Sequence, residues 1–537
     1  MDEKNVVSFV LNANLSFVRE SGPRFSFQEM PLFEMLEATL LPLLEMFDRL
    51  EAESIPFRIG LVLSPTLCHL LSDEKTIERY LSYVDARIEF GHFEQSRLKN
   101  NSAAEELARR YCETAIDRRH LFTERYEKNI LKAILWYCQH GRLEFINTAA
   151  TNAFLPFYSN MPQVIQAQIE SALQSSRGAF PSGSDGFYLP ELGWCESLDK
   201  ILRAYKFNWT LIDTHTALFA APPPVFGSFY PMISPGGLTL LARDFFAYDE
   251  VMNQSGMFPR NPLYRSYYDD SGYDLCAEAV APFISANGIR TATGYKYMAA
   301  GEGCCKKLYL PEEAAAAARG AAIAFLKRRA AALSRAKSAL GGRPPVSVCA
   351  FNADFFGRFW HEGIVFLEEV FRRGPECGLQ FMTPSEYLST LNVADFQKVM
   401  PGLSSQGFNG YSESYLGSSN DWVYRHLLRS SERMTELADM FSDNGNEVRR
   451  RALAQATREI LLAQSSDWLR IISSEERNIS REWSLYARER LETHLRNFTT
   501  FYETIGSTYV STRLLTELEQ TNNIFPAINY RVFRKKI

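Results

Sequence analysis

VVSFVLNAN (residues 6–14) is a run of β-branched and aromatic side chains that stops on two amides, Asn12 and Asn14. An apolar run of this length with no alternation reads as a strand covered on both faces, the habit of parallel sheets. Six more runs share its character: FRIGLVLS (57–64), LEFINTAA (143–150), GFYLP (186–190), WTLID (209–213), VSVCAFN (346–352) and LQFMT (379–383). Long helical stretches separate them, so successive strands join by crossovers and lie parallel. Seven such units predict an α/β fold, a closed or nearly closed (β/α) barrel. Barrels of this kind assemble their sites where strands end. Asn12, Asn14, Asn152 and Asn352 each follow one of the runs.

Between the runs, PLFEMLEATLLPLLEMFDRLEAE (31–53) carries apolar residues at helical spacing, and its proline suits a first turn. Residues 72–136 are charged and helical and read as an excursion from the barrel; 216–300, rich in proline, glycine and aromatics, read as a second one made of loops and a small subdomain. After residue 400 the pattern changes. DWVYRHLLRSSERMTELADMF, VRRRALAQATREILLAQ and LYARERLETHLRNFTTFYETI are amphipathic helices with short connections. The expected organisation is a barrel domain over 1–400 with both excursions and an all-helical domain over 401–537. The terminal RVFRKKI reads as a solvated tail.

Composition narrows the function. The 537 residues are 46% hydrophobic with 58 basic against 63 acidic side chains, which leaves no field of the sort that gathers nucleic-acid phosphates. Nine cysteines form no C-x-x-C pair and mostly sit in apolar runs, so free thiols and a reducing cytoplasm fit best. The first eighteen residues lack a basic region and a cleavage site, and the alanine-rich stretch 312–333 is interrupted by Arg319 and 327–329 too soon to cross a bilayer. Neither a signal peptide nor a membrane span is expected. The eight histidines show no H-E-x-x-H spacing, and the adjacent Cys304 and Cys305 lie in a loop without partners at zinc spacing, so no metal or other cofactor is expected.

Glu191, in GFYLPELGW (186–194), follows a strand and a proline and is flanked by Tyr188 and Trp194. That is the placing of a nucleophile beneath sugar-stacking rings, and equally of a carboxylate capping the next helix. Asp213 and His215, in LIDTHTAL, share a face if their strand continues, as a substrate contact or a structural pair. In FNADFFGRFWHEG (351–363), Asn352 and Asp354 share a face on the same condition, with Arg358 and Trp360 beyond. A glycosidase needs a second carboxyl group near its nucleophile, and Asp354 is the acidic candidate there.

These pieces together resemble glycoside hydrolase family 57, especially its 1,4-α-glucan branching enzymes. The resemblance runs nearly end to end, through FRIGLVLSPTL, GFYLPELGW, IDTH (212–215), Arg243–Asp244, NPLYRSYYDD (261–270), TGYKY (293–297), FFGRFWHEG, DWVYRHL and RALAQATREILLAQSSDW. It implies an incomplete seven-stranded (β/α) barrel beside a C-terminal helical domain. It also implies that Glu191 is the nucleophile, with Asp467 and Trp468 of the last piece among the substrate contacts. The departures gather at the site. The acid/base aspartate falls on Asn352 and the glutamate after it on Asp354. The H-A-H of the first strand falls on Asn12–Ala13–Asn14, the Thr-His after the third on Thr151–Asn152, and a loop aromatic on Gln406.

An asparagine copies the shape of an acid but has no titrating proton for a leaving oxygen. Losing general-acid help costs about 10² to 10⁴ in rate. Three readings stay open at this stage. One is a family member, impaired in catalysis, whose cleft still receives an α-glucan or oligosaccharide. Another is a working transferase or hydrolase with Glu191 as nucleophile and Asp354 as acid. The third is a structural protein whose barrel receives no sugar.

Overall fold

The computed structural model describes residues 5–535 apart from 21, 23, 182, 253–260, 302–305, 408, 442–445, 474–479 and 507–508, so Cys304 and Cys305 lie outside the described residues. Ten strands alternate with helices: β1 (Asn5–Ala13), β2 (Ile59–Leu63), β3 (Leu143–Thr148), β4 (Gly186–Tyr188), β5 (Trp209–Ile212), β6 (Met232–Ile233), β7 (Thr239–Ala242), β8 (Val346–Asn352), β9 (Leu379–Phe381) and β10 (Gln397–Lys398). Pairing runs β7-β5-β4-β3-β2-β1-β8, all parallel. A single parallel bridge between Arg243 and Val348 brings the two ends together. The result is an incomplete barrel of seven parallel strands, closed by one rung where a full barrel would have a ladder.

Six of the seven expected runs are barrel strands. LQFMT is not the seventh: β9 pairs only with the first three residues of β1, below the barrel proper. The seventh barrel strand is TLLA (β7), inside the stretch read as the second excursion. Four residues after two glycines carry too little period-2 signal to stand out, and β7 is a strand because β5 and β8 flank it.

The period of 2 explains what points where. Val6 and Val10 of β1, Val346, Val348 and Ala350 of β8, with Val62, Ile146, Tyr188, Trp209, Leu211 and Leu241, form one buried cluster that draws on all seven strands and fills the barrel. Asn12 and Asn352 have the same parity as their strands' interior residues, and they are Cα partners on the last rung shared by β1 and β8. Both amides therefore face the barrel mouth. Residues of opposite parity, such as Phe9, Leu11, Cys349 and Phe351, pack against the surrounding helices.

After residue 400 the chain is helical: Asp421–Met440, Glu447–Ala463, Ser466–Ser473, Arg481–Ile505 and Thr512–Thr521. This region docks on the barrel mouth. Ser466 donates its N–H and its hydroxyl to the Asn152 carbonyl at 3.1 and 2.7 Å, and Ala153 and Ser465 form an antiparallel bridge. The wall of the cleft is thus made from both parts of the chain.

Candidate functional site

Glu191 lies in the 3₁₀ turn Pro190–Leu192 beyond β4, at φ 58° and ψ 20°, and Leu192 is also left-handed at φ 49°. Left-handed backbone costs a residue with a side chain about 1–2 kcal/mol, so two such residues in succession are held by what surrounds them. What surrounds Glu191 is a set of donors. Oε1 accepts from Asn152 Nδ2 at 3.1 Å and, at 3.3 Å, shares with the Asn152 carbonyl the one proton of the Ser466 hydroxyl. Oε2 accepts from Gln406 Nε2 at 2.6 Å and from the Tyr415 hydroxyl. The Glu191 carbonyl takes the Gln406 N–H at 2.9 Å, fixing the 400–407 segment over the turn.

Asp467 stands next to it. Its carboxyl accepts from Asn14 Nδ2 at 3.2 and 3.0 Å, from Ser16 Oγ at 3.0 Å and from Asn152 Nδ2 at 3.4 Å. One amide, Asn152, therefore bridges Glu191 and Asp467. Burial pushes the Asp467 carboxyl above the usual range, Arg470 works against that, and the charge of Glu191 adds to it. Asn14 Oδ1 is buried without a hydrogen-bond partner, an acceptor left over at the cleft wall.

A second chain of contacts supports Gln406. Arg243 Nη1 donates to Gln406 Oε1 at 3.3 Å, and the same guanidinium is ion-paired with buried Asp213 and lies 3.7 Å over the Tyr248 ring. Gln406, where the resemblance places an aromatic, thus relays Asp213 and Arg243 to the Glu191 carboxylate. On the far side, Asp354 Oδ2 accepts from Arg358 Nη1 at 3.1 Å, and Arg358 Nε donates to Glu34 at 2.9 Å.

The cleft has a volume of about 780 Å³, within the range of small-molecule sites. It brings together Asn12, Asn14, Asn152, Glu191, Asn352, Asp354, Gln406, Asp467 and Trp468. Five other candidates lie elsewhere. Tyr188 is part of the barrel core, Trp194 is 1% exposed with its indole N–H on the Pro401 carbonyl at 3.1 Å, and Trp360 is 2% exposed among Tyr264, Phe356 and Phe366. Buried on all sides, these rings offer no face to a sugar. The shared faces fail too: β5 ends at Ile212, where Asp213 caps the helix Thr214–Leu218, and β8 ends at Asn352, where a 3₁₀ turn begins. His215 packs between Phe219 and Tyr411, with ring centroids 4.8 and 4.7 Å away, outside the cleft lining.

Side chains that sequence reading did not single out complete the wall. Ser466 and Tyr415 hold Glu191, Arg470 approaches Asp467 to 3.8 Å, and Tyr267, Tyr268 and Phe359 form an aromatic edge in which Tyr268 is 83% exposed. The aromatics lie in the NPLYRSYYDD and FFGRFWHEG stretches. No spacing rule singles them out, because they come from loops. Among the described residues no group of histidine, cysteine and carboxylate side chains could hold a metal, and no helix is long and apolar enough to cross a membrane.

Comparison with known proteins agrees with this fold. The family model described as glycosyl hydrolase family 57 matches residues 8–400, and that of the 1,4-alpha-glucan branching enzyme C-terminal domain matches 426–533. A 1,4-alpha-glucan branching enzyme of Thermococcus kodakarensis is 23% identical, over 97% of this chain and 77% of its own. Among solved structures, the alpha-amylase AmyC of Thermotoga maritima is 30% identical with a TM-score of 0.91, covering 99% of this chain and 100% of its own. The GH57-type branching enzyme of Pyrococcus horikoshii has the same fold, with a TM-score of 0.86 at 21% identity over 99% of this chain and 97% of its own.

Proposed function

This chain belongs to glycosyl hydrolase family 57, and we propose that it is a branching-enzyme-like member whose cleft receives an α-glucan but transfers little or none of it. A single observation carries the proposal. Asn12 and Asn352 are neighbours on the last rung of β1 and β8, facing the mouth, and neither has a proton to give.

Retaining transfer needs two steps at one carbon. In the first, a carboxylate oxygen bonds the anomeric carbon as the glycosidic C–O bond breaks and the leaving oxygen takes a proton. In the second, the acceptor hydroxyl loses its proton to the same group and displaces the carboxylate. Glu191 is built for the attacking role: it is ionisable, oriented by four side-chain donors and open to the cleft. The position opposite it in the family, residue 352, supplies neither the proton nor the base. Asp354 is a poor substitute, because Arg358 holds one of its oxygens and is itself tied to Glu34.

One further reading has an observation behind it. Asp467 is a buried carboxyl displaced above its usual range and linked to Glu191 through Asn152, a combination that serves a proton donor. A residual hydrolase or transferase working through Glu191 and Asp467 would lose its activity in Asp467→Asn and keep it in Asp354→Asn.

Titration calorimetry of the full chain with maltooligosaccharides tests the binding half. Saturable binding is expected, weakened by up to about tenfold in Tyr268→Ala through the loss of an exposed stacking ring. Absence of heat at millimolar ligand would leave a barrel that receives no sugar.

A further inference from the structure

A second cavity, of about 260 Å³, opens beside the cleft and is lined by Arg87, Arg110, Arg118, Arg265, Lys296 and Arg358 against two carboxylates, Glu34 and Glu37. It lies against the helices Glu74–Arg97 and Ser102–His120 and the turns around 265–267 and 294–296. The carboxylates are already engaged. Glu37 meets Arg87 at 3.2 Å and Arg118 at 3.8 Å and accepts from the Tyr80 hydroxyl at 2.9 Å, while Glu34 holds Arg358. Arg110 turns outward to Glu106 and Glu312.

Two cations form no ion pair among the described residues, although the Arg265 backbone N–H donates to Glu362 at 3.1 Å. Lys296 is 6% exposed, donates to the Tyr267 carbonyl at 2.5 Å and lies 4.4 Å over the Tyr267 ring; Arg265 lies 5.6 Å over the Tyr111 ring. Arg118, by contrast, is committed, its Nε 3.5 Å from Glu45 and its Nη1 donating to the Glu37 carbonyl at 2.8 Å. The surroundings register the excess charge. Burial, and then Arg265, lower the Lys296 ammonium from its ordinary value while Asp270 and Glu34 act against them, and burial holds His361 on the cavity wall well below its own, with Arg265, Arg118 and Lys296 acting in the same direction. A buried ammonium with no carboxylate paired to it is costly, and an anion entering the cavity would offset that cost.

We propose that this cavity binds a small phosphorylated compound, its phosphoryl oxygens held by Arg265 and Lys296 and its remainder lying against Tyr83, Tyr111 and Tyr309. Guanidinium forks match phosphoryl oxygens, and a doubly charged group answers several cations at once. The volume suits a phosphate ester about as large as a hexose and excludes a long glucan; a water molecule in liquid takes about 30 Å³. Arg358 and Tyr267 line this cavity and the cleft alike. The proposal does not rest on glucan binding and survives the failure of that reading.

The test is titration of the full chain with inorganic phosphate and with a hexose 6-phosphate at constant ionic strength, beside the unphosphorylated hexose. Saturable binding of the phosphate ester at millimolar concentration or below is expected, weakened about tenfold or more in Arg265→Gln and in Lys296→Gln, and unchanged in Arg109→Gln, a surface control. Should the Lys296 variant not fold, hydrogen exchange on the native chain decides: protection by phosphate confined to 83–118 and 265–309 supports the site. No saturable binding by either probe, no such protection, or equal binding by the Arg265 variant would overturn it and leave a water-filled gap.

Discussion

In the proposed reading residue 352 is where the chemistry turns, because an amide has the outline of a carboxyl group without its titrating proton. Asn12, Asn14 and Asn152 line the same cleft, and two of them bind its carboxylates: Asn14 donates to Asp467, and Asn152 bridges Asp467 and Glu191. The set was legible residue by residue from strand ends. Its connections were not, since Ser466, Tyr415 and Gln406 reach Glu191 from more than 200 positions away. A missing acid matters only when the leaving group needs one. An α-maltosyl fluoride, whose fluoride departs without help, is therefore expected to label Glu191 and to accumulate as a glycosyl-enzyme seen by intact-mass spectrometry, while amylose leaves the protein unmodified. Absence of label from both donors would move the defect from residue 352 to binding.

At the scale of elements, the long apolar strands and amphipathic helices announced themselves, and the errors fell on short pieces decided by tertiary neighbours. β7 has only four residues, and the faces assigned to Asp213–His215 and Asn352–Asp354 assumed strands that end one residue or more too early. The helical region carries its own polar anchor. His494, on helix Arg481–Ile505, meets Glu459 of helix Glu447–Ala463 at 2.8 Å, and neither side chain is exposed. Burial alone would raise the Glu459 carboxyl, yet hydrogen bonds from His494, Asn522 and Gln455 hold it below the usual range. Replacing His494 by leucine strands a buried carboxylate and is expected to cost about 3–5 kcal/mol in chemical denaturation. The double variant His494→Leu with Glu459→Gln should recover part of that loss; no recovery would mean that packing, and not charge, sets the cost.

The whole molecule combines a barrel closed by one rung with a helical region that completes the mouth, and its stability is coupled to pH by histidines that are buried or partly buried. His69, His361 and His494 are each held below the ordinary histidine value, first by burial. A histidine whose folded pKa lies below its unfolded value of about 6.5 takes up its proton mainly on unfolding, so stability is lost as pH falls below that value. Glu459, held low, extends the loss below about pH 4.5, and Asp467, held high, opposes it. The melting temperature is accordingly expected to fall between pH 7 and pH 5, and a flat or rising profile would show that these histidines are not held below the ordinary value in the folded chain.

The central claim is that a family 57 cleft has kept its attacking carboxylate and lost its proton donor. It is tested most directly by incubating the purified full chain with amylose and counting new branch points and new reducing ends. The account predicts turnover reduced by about 10² to 10⁴ from that of a member with the acid in place, with the remainder lost in Glu191→Gln. Robust branching or hydrolysis that disappears in Glu191→Gln would contradict it.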